Sequence, residues 1–232
     1  MKTIGMIGGM SWESSHIYYQ GANQLVRARL GGLHSAKIIL YSVDFAEIAD
    51  LQSAGLWQQA GERMAQAAVT LESAGADFIV LCSNTMHKLT PAIEAKIHIP
   101  LLHIADATAM AIKAAGIQKV ALLGTQFTME QDFYRGRLEE VHQLEVMIPE
   151  ADHRHQIHQI IYQELCVGIV SDSSRQLYQS IIAELQQRGA EGVILGCTEI
   201  SLLIQPHHVG IPVFDTTELH IRSAVQAAGV VE

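Results

Sequence analysis

The chain reads as two copies of one pattern. Residues 75–85, GADFIVLCSNT, align without a gap on residues 189–199, GAEGVILGCTE, which sets Ser83 opposite Cys197. TIGMIGGMS at 3–11 resembles KVALLGTQFT at 119–128, each an apolar run closing on a glycine, Gly8 or Gly124. IPLLHIADAT at 99–108 resembles IPVFDTTEL at 211–219, with Pro100 opposite Pro212. The matched residues are 116, 114 and 112 positions apart. Three matches in one order, with slowly drifting spacing, favour an old duplication over chance likeness between apolar strands. A duplicated chain folds into two similar halves, and each half places one side chain at the matched point. Here those side chains are a hydroxyl and a thiol, so the two halves carry unequal chemistry.

The apolar runs predict strands at 3–7, 37–43, 78–82, 101–103, 119–123, 144–148, 192–195 and 212–214. Continuous rather than alternating apolar strands belong to parallel sheets covered on both faces. Helices are expected at 13–30, 56–74, 88–96, 107–115, 129–142, 154–167, 173–188 and 217–228, several stopping at glycine, as at Gly75, Gly116 and Gly189. Strand–helix alternation implies right-handed crossovers. The fold expected is α/β: two similar doubly wound parallel-sheet domains related by pseudo-two-fold symmetry, with an active site in the cleft between them. The first lobe is set at 1–113, completed by the C-terminal segment 212–232, and the second at 117–210.

A net charge of −9 excludes non-specific nucleic-acid binding, which depends on Lys and Arg neutralising phosphates. No run approaches the roughly 18 apolar residues of a membrane helix, and the opening apolar run is too short for a secretory leader. Three cysteines, an odd number, do not form a disulfide framework. A reduced, cytoplasmic protein without membrane attachment is the expectation.

Ligands of open parallel sheets sit beyond the carboxyl ends of the strands. Ser83 follows one such strand and Cys197 another. Asn84, Thr85 and Thr198 are short polar residues suited to capping the helix that follows each, where backbone N–H groups make a carboxylate site. A thiol near a helix N-terminus is expected to have a lowered pKa. Cys82 points away from Ser83 by strand alternation and reads as core, as does Cys166. Gly8-Gly9-Met10-Ser11 is not the G-x-G-x-x-G nucleotide fingerprint and reads as a loop at the substrate's edge, with Gly124-Thr125 its counterpart. The clusters His153–His155–His158 and His207–His208 match no strong zinc spacing and read as exposed. His87, one helical turn past Ser83, is close enough to tune it, and His103 and Asp106 are candidates for the same rim.

At these residues the chain resembles the cofactor-independent aspartate/glutamate racemase family. IGMIGGMSWESS, VLCSNTMH, LLGTQFTMEQDFYRGRL and GVILGCTEI carry the likeness nearly end to end. The resemblance implies two similar domains with a site between them, no pyridoxal phosphate or other cofactor, no metal, and a homodimer. The family's two catalytic cysteines fall on Ser83 and Cys197. Its substrate contacts fall on Met10, Gln52, Ser83, Asn84, Thr85, Thr125, Thr198 and Glu199. The first cysteine is replaced by Ser83, which resembles bacterial racemases with a hydroxyl residue there and a preference for L-amino acids. A basic clamping residue of some members is absent, because positions 48 and 164 are Ile48 and Glu164.

The resemblance implies a small acidic amino acid, aspartate or glutamate, as substrate. Cys197 as thiolate removes the Cα proton and Ser83 returns one to the opposite face. A single-cysteine decarboxylase or isomerase of the same superfamily, and a degenerate amino-acid-binding protein, are the alternatives.

Overall fold

A computed structural model describes residues 1–231. The elements run in chain order as β1 (Ile4–Gly8), α1 (Trp12–Leu30), β2 (Ile38–Ser42), α2 (Phe45–Ser53), α3 (Trp57–Ser73), β3 (Phe78–Leu81), α4 (Thr90–Glu94) and β4 (Leu101–Leu102). They continue as α5 (Ile104–Ala114), β5 (Lys119–Gly124), α6 (Gln126–Glu130), β6 (Glu145–Met147), α7 (Ala151–Gln163), α8 (Asp172–Gln187), β7 (Gly192–Gly196), α9 (Ile200–Leu203), β8 (Val213–Asp215) and α10 (Thr216–Ala227). Each of the eight expected strands forms.

The duplication is written in the topology. One sheet has the order β2-β1-β3-β4 and the other β6-β5-β7-β8, and every pairing is parallel. Each half therefore repeats one winding. The central strands are buried along their whole length, which is why they read as unbroken apolar runs.

The chain divides into two units. One comprises Met1–His103 with His220–Glu232, and the other Ile104–Leu219. In the first, Met64, Ala68 and Leu71 of α3 pack with Ile7, Ile79 and Leu81 on one side of the sheet. Tyr18, Ala22 and Val26 of α1 pack with Ile4, Met6, Val80 and Cys82, together with Ile221, Ala224 and Val225 of α10. In the second, Ile104, Ala105, Ala109 and Ile112 of α5 join the strands β5 and β7 and helices α7 and α8.

The boundaries differ from those expected. Residues 104–113 belong with the second unit rather than the first lobe, because α5 shares that unit's core and lies against β8 and residues 137–141. Segment 212–219 is also in the second unit, since β8 is the fourth strand of its sheet, with Val193 paired to Val213. Only residues from His220 onward belong to the first.

The expected helix at 129–142 is interrupted. Helix α6 stops at Glu130, where Gln131 is extended (φ −101°, ψ 151°), and a single wide turn follows at Arg137–Val141. Helix α2 arises where no helix was expected. Asp44 caps it, its carboxylate accepting from Ala46 N–H at 3.0 Å.

Candidate active site

In the first unit the expected residues gather at the carboxyl ends of β1 and β3. These strands are neighbours, with Ile7 paired to Leu81, and Cys82 N–H donating to the Ile7 carbonyl at 2.9 Å. Ser83 is half-buried between buried Cys82 and Asn84. A single helical turn, Thr85–Leu89, begins two residues after it. Met10 is buried in the same apolar cluster as Met86, and Gln52 Nε2 donates to the Met86 sulfur at 2.8 Å. Thus Met10, Gln52, Ser83, Asn84 and Thr85 meet around one strand end.

The second unit repeats this. Gly124 and Gly196 pair at the ends of β5 and β7, bringing Thr125 beside Cys197, Thr198 and Glu199. Cys197 is half-buried between buried Gly196 and Thr198, the same pattern as Ser83. Thr125 caps α6, its hydroxyl oxygen accepting from Thr128 N–H at 3.3 Å. The glycines are needed for packing: a Cβ on Gly196 would lie 2.9 Å from the Leu123 carbonyl oxygen, and one on Gly124 3.0 Å from that of Gly196.

The glycine loop after β1 also has a packing reason. Gly9 has φ +90°, and a Cβ there would lie 2.2 Å from the Val43 carbonyl oxygen. Its N–H donates to Ser15 Oγ at 2.7 Å. Close approach of backbone to backbone, rather than of backbone to ligand, accounts for this glycine.

The Cys197 thiol donates to the Glu199 carboxylate at 3.0 Å. Burial, then the charge of Glu199, hold its pKa well above the usual thiol value. This reverses the lowered pKa expected from a helix N-terminus. Helix α9 has only four residues and begins beyond Glu199, so its dipole is weak and the carboxylate dominates. Burial and this neighbour thus favour the thiol form of Cys197, its S–H directed at the Glu199 side chain.

Ser83 Oγ accepts a long hydrogen bond from Met86 N–H, 3.4 Å. That interaction draws on the oxygen lone pairs and leaves the O–H to donate. Neither Asn84 nor Thr198 caps its following helix as expected: Asn84 makes no side-chain capping bond, and the residue before α9 is Glu199, also without one.

Other candidates fall elsewhere. His87 is buried and its Nδ1 lies 2.7 Å from the carbonyl oxygen of Ser83, not from the hydroxyl. It therefore cannot activate Ser83 as a base through that nitrogen. Asp106 is held by Arg137 through two 2.7 Å bonds and by His142 at 2.8 Å, which ties it into a structural ion pair instead of a rim. His158, expected to be exposed, is part-buried, its Nδ1 accepting from Gln126 N–H at 3.3 Å. Burial and then His155 lower its pKa, with Glu130 opposing. Among the described residues no group of three His, Cys, Asp or Glu is arranged to hold a metal ion, and no helix is long and apolar enough to cross a membrane. Cys82 is buried among apolar groups, and burial raises its pKa.

Two tyrosines near the thiol were not identified from sequence. Burial, then Cys197, raise the pKa of both Tyr162 and Tyr178. Glu164, which stands where some family members carry a basic clamping residue, accepts from the Ser171 and Ser174 hydroxyls at 3.1 and 2.6 Å. Ile48 is buried in apolar surroundings. No positional signal in α7 or α8 distinguishes these tyrosines from ordinary core aromatics.

A duplicated α/β chain with a polar centre beyond the central strands of each sheet defines a class of two-unit enzymes, and comparison with known proteins identifies that class as the racemases. The sequence model of the Asp/Glu/Hydantoin racemase family matches residues 7–224, so the chain belongs to that family. A crystal structure from Yersinia pestis, provisionally assigned as an Asp/Glu racemase, is 55% identical with TM-score 0.94, covering 98% of this chain and 99% of that one. An aspartate racemase homologue from Pyrococcus horikoshii is 35% identical with TM-score 0.87, covering 99% and 100%. The broad-specificity amino-acid racemase RacX of Bacillus subtilis is 29% identical over 68% of this chain and 67% of its own.

Proposed function

We propose that this enzyme racemises an acidic amino acid, aspartate or glutamate, without a cofactor, using Cys197 and Ser83 on opposite faces of Cα. The observation that carries the proposal is that the end of β7 bears the thiol–carboxylate pair of Cys197 and Glu199 while the equivalent end of β3 bears a hydroxyl, Ser83. The relatives named for aspartate, for Asp/Glu and for broad specificity support the substrate class.

The resting protonation suggests the steps. A thiol cannot remove a Cα proton, so Glu199 first takes the thiol proton. The thiolate then removes the Cα proton. Negative charge delocalises into the α-carboxylate, which the polar groups of Asn84, Thr85, Thr125 and Thr198 stabilise as it develops. Ser83 O–H then delivers a proton to the opposite face, and exchange with solvent returns a proton to the Ser83 alkoxide and removes the one held by Glu199, restoring the starting enzyme. The reverse path crosses the same transition states, with the Ser83 alkoxide as base and Cys197 as donor. Met10 and Gln52 border the Ser83 side. With Ile48 and Glu164 at positions where other members place a base, neutral donors recognise the second carboxylate. Discrimination between aspartate and glutamate is then expected to be weak.

The two enantiomers have equal free energy, so kcat/KM for inversion is the same in both directions. The inequality of Ser83 and Cys197 shows instead in how often the carbanion returns to its original face. A homodimer in the cytoplasm completes the proposal, and sedimentation of the purified protein tests the dimer.

The activity is tested by supplying each enantiomer of aspartate and glutamate and following optical rotation, with parent and Cys197→Ala proteins. Inversion by the parent and its loss in the variant support the proposal; equal rates in both contradict it. The presence of only one thiol in the pair also suits decarboxylation, which needs a single proton donor, and substituted malonates would report that activity as carbon dioxide release.

A further inference from the structure

Behind Ser83 lies a group of buried imidazoles that the proposed chemistry does not use. His87, His103 and His220 come from the turn after β3, the end of β4 and helix α10, and all are buried. The His87 ring lies 4.6 Å from that of His103 and 5.7 Å from that of His220, between centroids. Tyr18 of α1, also buried, bonds His220 Nδ1 at 2.9 Å, and His220 Nε2 lies 2.9 Å from the Leu102 carbonyl oxygen.

Carbonyl oxygens only accept, which assigns the protons. His220 carries its proton on Nε2 for Leu102, so its Nδ1 accepts from the Tyr18 hydroxyl. His87 carries its proton on Nδ1 for Ser83. The Leu102 carbonyl faces His87 as well and keeps a lone pair beside His220, but the short 2.7 Å contact to the Ser83 carbonyl places the ring proton on Nδ1. A second proton on His87 is opposed by burial first, then by His103 and His220.

We infer that His87, as the neutral Nδ1–H tautomer, is a positioning residue that fixes the Ser83 carbonyl and so aims the Ser83 hydroxyl. The bond is short, at 2.7 Å, and spans one turn, from residue 87 back to residue 83. Met86 N–H holds the hydroxyl oxygen from the same turn, and the Ser14 hydroxyl holds the preceding carbonyl, that of Cys82, at 3.1 Å. Ser83 is thus held through its own carbonyl, its hydroxyl oxygen and the preceding carbonyl. A hydroxyl is a weak proton donor, so its aim matters more than that of a thiol.

The inference rests on the racemase reading, and its test separates the two. Each enantiomer is incubated in deuterium oxide with parent, His87→Leu and His87→Asn proteins, and NMR follows Cα deuteration and inversion separately. The Asn side-chain amide places a donor near the position of Nδ1. His87→Leu is expected to lose inversion by about tenfold or more, as small misplacements of catalytic groups do. Deuteration with retention, which does not use Ser83, should persist. His87→Asn should restore most of the inversion. Parallel loss of both reactions in His87→Leu, or no recovery in His87→Asn, overturns the inference while leaving the racemase reading intact. Ring ¹⁵N chemical shifts of the parent supply an arm independent of turnover. Protonated Nδ1 with unprotonated Nε2 on His87 at neutral pH supports the inference, and the opposite tautomer or an imidazolium overturns it.

Discussion

At the scale of single residues, two side chains occupy matched places and differ in what surrounds them. Cys197 has a carboxylate 3.0 Å away. Ser83 has a backbone N–H at 3.4 Å and an imidazole that ignores its hydroxyl. In the proposed reaction the thiol passes its proton to that carboxylate, and the hydroxyl gives its proton to Cα. Glu199→Gln should lower kcat/KM by about 10²–10⁴ fold, the range for losing a positioned acid–base group, with the thermal midpoint little changed. The raised thiol pKa gives a sign for pH dependence. Because burial and then Glu199 hold the thiol pKa up, kcat/KM should show no rising step near about 8.5, where an ordinary free thiol ionises. A clear step there would mean that Cys197 titrates as an exposed cysteine.

At the scale of elements, the strand ends are built by close backbone contacts. Gly9→Ala forces a Cβ to within 2.2 Å of the Val43 carbonyl oxygen at φ +90°. A cost of about 2 kcal/mol or more is expected, which chemical denaturation would show as a lower midpoint. Strands were the most legible elements, because parallel strands covered on both faces are uninterrupted apolar runs. Helix α2 was missed although Asp44 followed by Glu47 is a start signal; the short stretch between β2 and Gly55 hid it. The break after Glu130 was missed because no proline or glycine marks it before Gly136. The placement of Ser83 and Cys197 at strand ends was legible from the repeat. Their protonation was not: the spacing Cys197-Thr198-Glu199 is visible in the sequence, but whether the carboxylate turns toward the thiol depends on how tightly α9 begins. The histidine group was also hidden, because residues 87, 103 and 220 meet only after both ends of the first unit have folded together.

At the scale of the whole molecule, the repeat appears twice, as sequence and as the common 2-1-3-4 strand order. The final helix breaks the simple division. Helix α10 starts in the second unit and delivers Ile221, Ala224 and Val225 to the first, where they pack with Tyr18, Ala22 and Val26. Val225→Asp should cost about 3 kcal/mol or more, since it buries an unpaired charge. Gln226→Asp, at the neighbouring exposed position, should stay within about 0.5 kcal/mol. Equal effects in denaturation would show that α10 does not support the first unit's core.

The central claim is that a symmetric scaffold carries unequal chemistry. Cα deuteration of recovered substrate, measured for each enantiomer before appreciable inversion, tests it most directly. One enantiomer, the one presenting its Cα–H to Cys197, should gain deuterium with retention faster than it inverts. The other should invert with little deuterium in the recovered substrate. Equal deuteration of both recovered enantiomers would contradict the account.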